Sequence, residues 1–292
     1  MARKTFRNTN GIKKKIIFVA DLFRQDLIGG GECNDHILIN HFISRKYNVV
    51  LKKCPEINLS DMNKKNFFII GNFISLSEQN KRLLKNEEYL IYEHDHKYLT
   101  SRDPSVFKDF IAPPENIINK EFYENAKAVV VLSKICKEII EKSLHISNVH
   151  NIGCSLWSDE KLDLIESLSE KPKNDTLAII NSSNPIKSTH ESIEYCAKNN
   201  IQYEVLPPSQ EKELLEKLAD YKGLVFFPKV LETFSRISAE TKMLNCKLLT
   251  TPKMLGFASE EIYKLSGREL IQKIRERKNK ALELFVSLVE SE

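Results

Sequence analysis

Residues 223–240 read GLVFFPKVLETFSRISAE. The opening GLVFFPK is β-rich, apolar on both faces and too short for a buried helix, so it reads as a strand covered from both sides. From Glu232 the chain passes through a loop into a helix, and Glu240 follows eight positions later. A helix repeats every 3.6 residues, so a step of eight returns nearly to the same face and both carboxylates can point at one ligand. On spacing alone the preferred reading is two surface charges, because exposed glutamates are common on helices. Thr233, Ser235 or Glu232 is placed to cap the helix, and the amides of Phe234, Ser235 and Arg236 would then face an anion.

The same alternation of strand, loop and helix extends in both directions. Further strands are expected at 15–21, 47–53, 66–72, 88–95, 127–133 and 147–153. After the charged, Pro-containing stretch SLSEKPKNDT (167–176), a second series is expected at 177–181, 201–207, 223–229 and 246–251. Helix-length segments such as SKICKEIIEKSL and SQEKELLEKLADY lie between them. The pattern is that of an α/β protein with two doubly wound, parallel-sheet, Rossmann-like domains facing a cleft. The expected bounds are 1–165 for the first domain and 174–266 for the second. A C-terminal helix, 267–292, follows no further strand and is expected to pack back across the boundary.

Composition narrows the class. The chain has 292 residues, 41% hydrophobic and 29% charged, as in a globular rather than a disordered protein. No apolar run approaches the roughly 20 residues of a membrane span, and no signal-peptide pattern opens the sequence, so a cytoplasmic protein is expected. Six scattered cysteines without a Cys-x-x-Cys pair suit reduced thiols, not a disulfide framework or a zinc ribbon. Net charge is a slight +4, yet Arg3, Lys4, Arg7, Lys13, Lys14 and Lys15 crowd the first fifteen residues with no acid among them. Such a basic arm is either a solvated tail or a contact for nucleic acid, an anionic polymer or an acidic membrane surface.

Ligands of open α/β sheets bind beyond the carboxyl ends of the strands, which singles out four loops. In the first, Gly29, Gly30 and Gly31 run into a helix expected to start near Glu32. Close backbone approach and free amides there suit a phosphate, although a plain flexible loop has the same composition. The spacing is neither G-x-G-x-x-G nor a Walker A loop, which disfavours a nicotinamide dehydrogenase and a P-loop nucleotidase. In the second loop, YEHDHKYL, the candidates are His94, Asp95 and His96. Strand alternation separates neighbouring side chains and no third ligand cluster is evident, so hydrogen bonding to a polar ligand is preferred over zinc. The third, NSSNPIKSTHES, brings Lys187 near a helix start, as a point charge for a phosphate or as a surface lysine. The fourth is the opening stretch, where Glu240 is placed to reach vicinal hydroxyls of a ribose.

In order and spacing these sites resemble the retaining glycosyltransferases of the GT-B fold, most closely glycosyltransferase family 4 and its relatives. The likeness rests on GGGE after the first strand, on EHD, on VVVLSK and VHNIG, on Lys187, and on ETFSRISAE for the Glu-x7-Glu motif. It covers nearly the whole chain. It implies that His94, Lys187 and Glu232 are catalytic: Lys187 neutralises the departing diphosphate, Glu232 contacts a donor-sugar hydroxyl, and His94 lies beside the transferring sugar. Gly30, Gly31, Thr233, Phe234, Ser235, Arg236 and Glu240 would complete the donor site, with Glu240 on the ribose. Gly29, Glu32, Asp95 and His96 would lie on the acceptor side. The donor implied is a nucleotide diphosphate sugar with UDP as the nucleotide, used without a metal or other cofactor, and the acceptor is a glycan or a nucleic acid such as a modified DNA base.

The chain departs from the family pattern. Asn181, Ser182 and Ser183 stand where an arginine usually precedes the lysine, leaving Arg236 as the candidate substitute. Ser188 replaces the glycine after the lysine, and Thr233 and Ser235 replace the glycines around the family phenylalanine. The alternatives are a non-catalytic sugar-nucleotide or polymer-binding protein of the same fold, and a GT-B epimerase.

Overall fold

The computed structural model describes residues 14–291; Arg3, Lys4, Arg7 and Lys13 of the basic arm lie outside them. The first sheet is built from β1 (Lys15–Ala20), β2 (Val49–Lys53), β3 (Asn66–Ile70), β4 (Glu88–Tyr92), β5 (Ala128–Val131) and β6 (Val149–Asn151). Its strands are all parallel, in the order β2-β1-β3-β4-β5-β6. The second sheet contains β7 (Leu177–Ile180), β8 (Tyr203–Leu206), β9 (Gly223–Phe226) and β10 (Lys247–Thr250), in the order β10-β9-β7-β8, again parallel. Each sheet therefore reverses direction next to its own first strand, between β1 and β3 in one and between β7 and β9 in the other. Those reversals open the crevices in which α/β sheets bind ligands.

Nine helices cover the sheets among the described residues: α1 (Gly30–Ser44), α2 (Glu78–Leu84), α3 (Lys120–Glu124), α4 (Lys134–Leu144), α5 (Asp159–Ser169), α6 (Thr189–Lys198), α7 (Glu211–Leu218), α8 (Arg236–Met243) and α9 (Gly267–Glu290). Burial on both faces explains the unbroken apolar runs, since Ile16–Ala20 and Phe67–Ile70 are wholly inaccessible. The expected strands are present, most of them shorter at the carboxyl end. The run expected at 88–95 stops at Tyr92, so Glu93, His94 and Asp95 leave the sheet for its rim. The charged stretch 167–176 is only partly a linker, because its first three residues close α5.

α9 returns across both halves. Its buried positions, among them Leu270, Ile274, Ala281, Phe285 and Val289, recur at helical spacing along one face. Near its end Phe285 meets the ring of Tyr92 from β4 edge-on at 4.8 Å. A second tie is Glu260, whose Oε1 accepts the amide of Lys134 at 2.7 Å and Asn151 Nδ2 at 2.8 Å, while Oε2 pairs with Arg277. Gly256 permits the close contact beneath, since a Cβ there would stand 2.1 Å from the carbonyl oxygen of Thr233. The six cysteines are buried and unpaired. No helix among the described residues is long and apolar enough to cross a membrane.

Candidate functional site

The carboxyl ends of the two sheets face one another across a cleft of about 660 Å3. From the first half it is lined by Gly29–Gly31, Asn34, His94, Asp95, His96 and Arg102; from the second by Lys187, Glu211, Glu232–Arg236 and Glu240. Four segments far apart in sequence thus meet in one crevice. Glu32 is not in the lining. Its carboxylate folds back toward Gly29, where an added Cβ would lie 2.2 Å from Oε2, and its Oε1 accepts Asn72 Nδ2 at 3.3 Å.

The helix after the glycine loop starts at Gly30, two residues earlier than its expected start, with Gly29 as an N-cap that offers no side-chain bond. Its first amides are therefore left to a ligand or to water. A Cβ on Gly31 would stand 3.3 Å from His94 Cγ and 3.2 Å from Asn72 Nδ2, so glycine lets α1 approach the histidine closely. One turn on, Asp35 Oδ1 accepts the Nε2–H of His94 at 2.8 Å, with both side chains buried. The carboxylate takes the Nε2–H and fixes the ring's orientation, which leaves Nδ1 for another partner. Nδ1 has no protein partner.

The two histidines divide. His96 has φ +52, is buried, and has neither ring nitrogen bonded to a protein group. Burial pushes it down to about 4, against the pull of Glu93 and Asp103 and with the help of Lys97. Asp95 pairs with Arg102 at 2.9 Å, and burial raises its carboxyl above the ordinary value. Among the described residues no group of three or more His, Cys, Asp and Glu is placed to hold a metal ion.

His96 carries a prediction for stability. Its folded value lies below 6.5, so the unfolded chain takes up the proton first as pH falls. The contribution of His96 should be constant above about pH 6.5 and should fall by about 2–3 kcal/mol on going down to roughly pH 4.5. Denaturant unfolding of wild type and His96→Gln at these two pH values checks this. Equal pH slopes in the two proteins would refute it.

In the second half Lys187 ends a 3-10 turn, Pro185–Lys187, and its Nζ meets Glu232 Oε1 at 2.6 Å and lies 5.8 Å from the centre of the Phe226 ring. Glu232 is not helical: it forms a β-bridge with Leu255, and α8 begins only at Arg236. The eight-residue spacing therefore does not put the two glutamates on one helix face. A left-handed turn at Ser235, φ 74, swings the chain so that both border the cleft.

The expected side-chain cap is absent as well. Glu232 bonds Lys187, Thr233 Oγ1 donates to the carbonyl of His94 at 3.1 Å, and Ser235 Oγ bonds Ser238 Oγ at 2.8 Å. The N-terminus of α8 consequently receives no side-chain bond. Phe234 is buried between Trp157 and Phe257, with ring centres 6.2 and 5.2 Å away. Arg236 reaches into the first half, where Nη1 donates to Leu156 O at 2.5 Å and to Asn34 Oδ1 at 3.1 Å. Glu240 Oε1 accepts Trp157 Nε1–H at 2.8 Å and Lys161 Nζ at 2.6 Å. Burial alone would push the Glu240 carboxyl up, but Lys161 and Arg236 hold it below its ordinary value, so it is an anionic acceptor.

Asp35, Asn34, Trp157 and Lys161 were not among the sequence candidates. A signal existed for one of them: Asp35 lies one helical turn after Gly31, on the face that the glycine loop brings to the cleft.

No protein-family model matches the chain, and no curated protein matches it. Solved structures do. One is an alpha-glucosyltransferase in complex with UDP and a 13-mer DNA containing a central A:G mismatch, similar over 94% of this chain and 92% of that chain at 12% identity and a TM-score of 0.51. A second is the catalytic domain of Starch Synthase IV from Arabidopsis thaliana bound to ADP and acarbose, over 95% and 94% at 9% identity and 0.52. A third is Anabaena HepE in complex with UDP and glucose, over 94% and 100% at 10% identity and 0.51. At these identities the likeness is one of architecture, and with the two parallel sheets facing a cleft it gives the chain the GT-B fold of glycosyltransferases.

Proposed function

We propose that the chain is a retaining glycosyltransferase related to family 4, which moves a hexose from a nucleotide diphosphate sugar, with UDP as the nucleotide, to an acceptor hydroxyl. The observation that carries this reading is the convergence of Lys187, Glu232, the uncapped start of α8 and Glu240 on one wall of a single cleft. A diphosphate leaving group gains negative charge as the bond to the sugar breaks. A lysine and a helix N-terminus aimed at it supply preorganised positive charge.

In this reading residues 174–266 bind the donor and 1–165 present the acceptor, with His94 between them. The acceptor oxygen bonds to the anomeric carbon on the face from which the phosphate oxygen departs, and its proton passes to that phosphate. Neither a metal nor a cofactor takes part. The acceptor is a glycan or a modified base in DNA, and a base would have to leave its stack to enter the cleft. The described chain begins at Lys14, which pairs with Glu88 at the amino end of β4, on the far side of the sheet from the cleft.

The test is incubation with UDP-sugars, following UDP release with and without acceptor and reading the anomeric coupling of the first product by NMR. Retained configuration is expected; inversion would overturn the stereochemistry. Nucleotide binding without any turnover would favour a non-catalytic binder, and an isomerised free sugar would favour an epimerase.

A further inference from the structure

We propose that Lys161 and Trp157 are positioning residues for the nucleotide end of the cleft: they clamp one oxygen of Glu240 and so present the other to a hydroxyl of the bound nucleotide. The proposal rests on reading this cleft as a nucleotide-sugar site. Neither residue belongs to the Glu-x7-Glu stretch, and neither belongs to the second sheet or to the loops at its carboxyl ends. Trp157 ends the buried crossing segment Cys154–Trp157, and Lys161 lies in the first turn of α5.

The geometry is specific. Two donors converge on Glu240 Oε1, the indole N–H at 2.8 Å and the ammonium at 2.6 Å, and fill its lone pairs. Oε2 receives no hydrogen bond among the described residues and is not one of the sealed, unpartnered polar atoms. The side chain is thus fixed with one oxygen occupied and one open to the cleft, whereas an unclamped glutamate would have to lose rotamer freedom on binding.

The two donors make different contributions. Lys161 supplies charge and is shared with Glu211, which lines the same cleft from the start of α7. Trp157 supplies direction, and its ring carries the Arg236 guanidinium 4.6 Å from its centre. Arg236 in turn bonds Leu156 O and Asn34 Oδ1, so the clamp continues into α1 of the first half.

The experiment is calorimetric titration of UDP and of ADP into wild type, Glu240→Gln, Lys161→Met, Lys161→Arg, Trp157→Phe and the Lys161→Met/Glu240→Gln double variant. Thermal unfolding of each protein is followed in parallel. Glu240→Gln and Lys161→Met should each weaken binding roughly 10–100-fold, the scale of losing a charge-assisted hydrogen bond. The double variant should be no weaker than the poorer single variant by more than about twofold, because both remove one interaction. Trp157→Phe, which keeps an aromatic side chain but loses the N–H and some buried volume, should weaken binding roughly 3–10-fold, with the protein still folded at the titration temperature although its unfolding temperature falls. Lys161→Arg should recover most of the affinity.

Lys161→Met and Trp157→Phe binding as tightly as wild type, or losses that multiply in the double variant, would overturn this proposal alone. A wild-type protein that binds neither nucleotide overturns the nucleotide-sugar reading, and this proposal with it.

Discussion

Replacing Lys187 by alanine is expected to lower kcat for donor turnover by on the order of 10²–10³-fold, the loss seen when one preorganised group facing a developing negative charge is removed. Lys187 Nζ is held by Glu232 Oε1 at 2.6 Å on the wall of the cleft, with its side chain still partly open to solvent. Charge on the leaving diphosphate grows only as the bond breaks. The effect should therefore fall mainly on kcat, with a smaller change in KM. Lys187→Arg should restore part of the rate, since it keeps the charge but not the compact ammonium. UDP release under saturating donor measures this. A kcat within about threefold of wild type would remove Lys187 from the chemistry.

The largest effect on stability is expected at Glu93. Its carboxylate is buried beneath the cleft, where Oε1 accepts Lys97 Nζ at 2.5 Å and the amide of Asp95 at 2.8 Å, and Oε2 accepts the Tyr123 hydroxyl. Burial by itself would raise this carboxyl, but Lys97 and the hydrogen bonds hold it well below the carboxylate range. Glu93→Gln leaves the Lys97 ammonium without a counter-charge in the interior and should cost about 3–5 kcal/mol. The double variant Glu93→Leu/Lys97→Met should recover much of that loss, because it also removes the stranded charge.

The sign of the pH effect follows from the depressed value. The stabilisation by Glu93 is present above the ordinary value of 4.5 and is lost as pH falls below it. Its window lies under that of His96, so the two can be separated in one pH series of unfolding measurements. A Glu93→Gln protein as stable as wild type at neutral pH would show that Lys97 has another way to be neutralised.

Much of the architecture is local in origin. The central strands were legible because both of their faces are covered, and such burial leaves unbroken runs of Ile, Val and Phe. The order of strands and helices then limits the topology to doubly wound sheets, whose carboxyl ends must carry the ligand loops. That reasoning located Gly29–Gly31, His94, Lys187 and the Glu232–Glu240 stretch, and the structure puts them around one cleft.

What the sequence could not decide is how side chains on separate elements pair, because no periodicity carries that information. The bond from His94 to Asp35 spans 59 residues and depends on α1 packing over the end of β4, which Gly31 permits. Helical spacing suggested that Glu232 and Glu240 share a face, yet a β-bridge to Leu255 and the left-handed turn at Ser235 bring them to the cleft instead. Caps were expected from Thr233, Ser235 or Glu232, but Thr233 and Glu232 found partners across the fold, at His94 O and Lys187 Nζ, and Ser235 turned to the hydroxyl of Ser238 in the first turn of α8. Burial of Trp157 at the crossing between the halves is likewise a tertiary outcome. Its indole N–H, removed from water, had to find an acceptor, and the packing supplies Glu240.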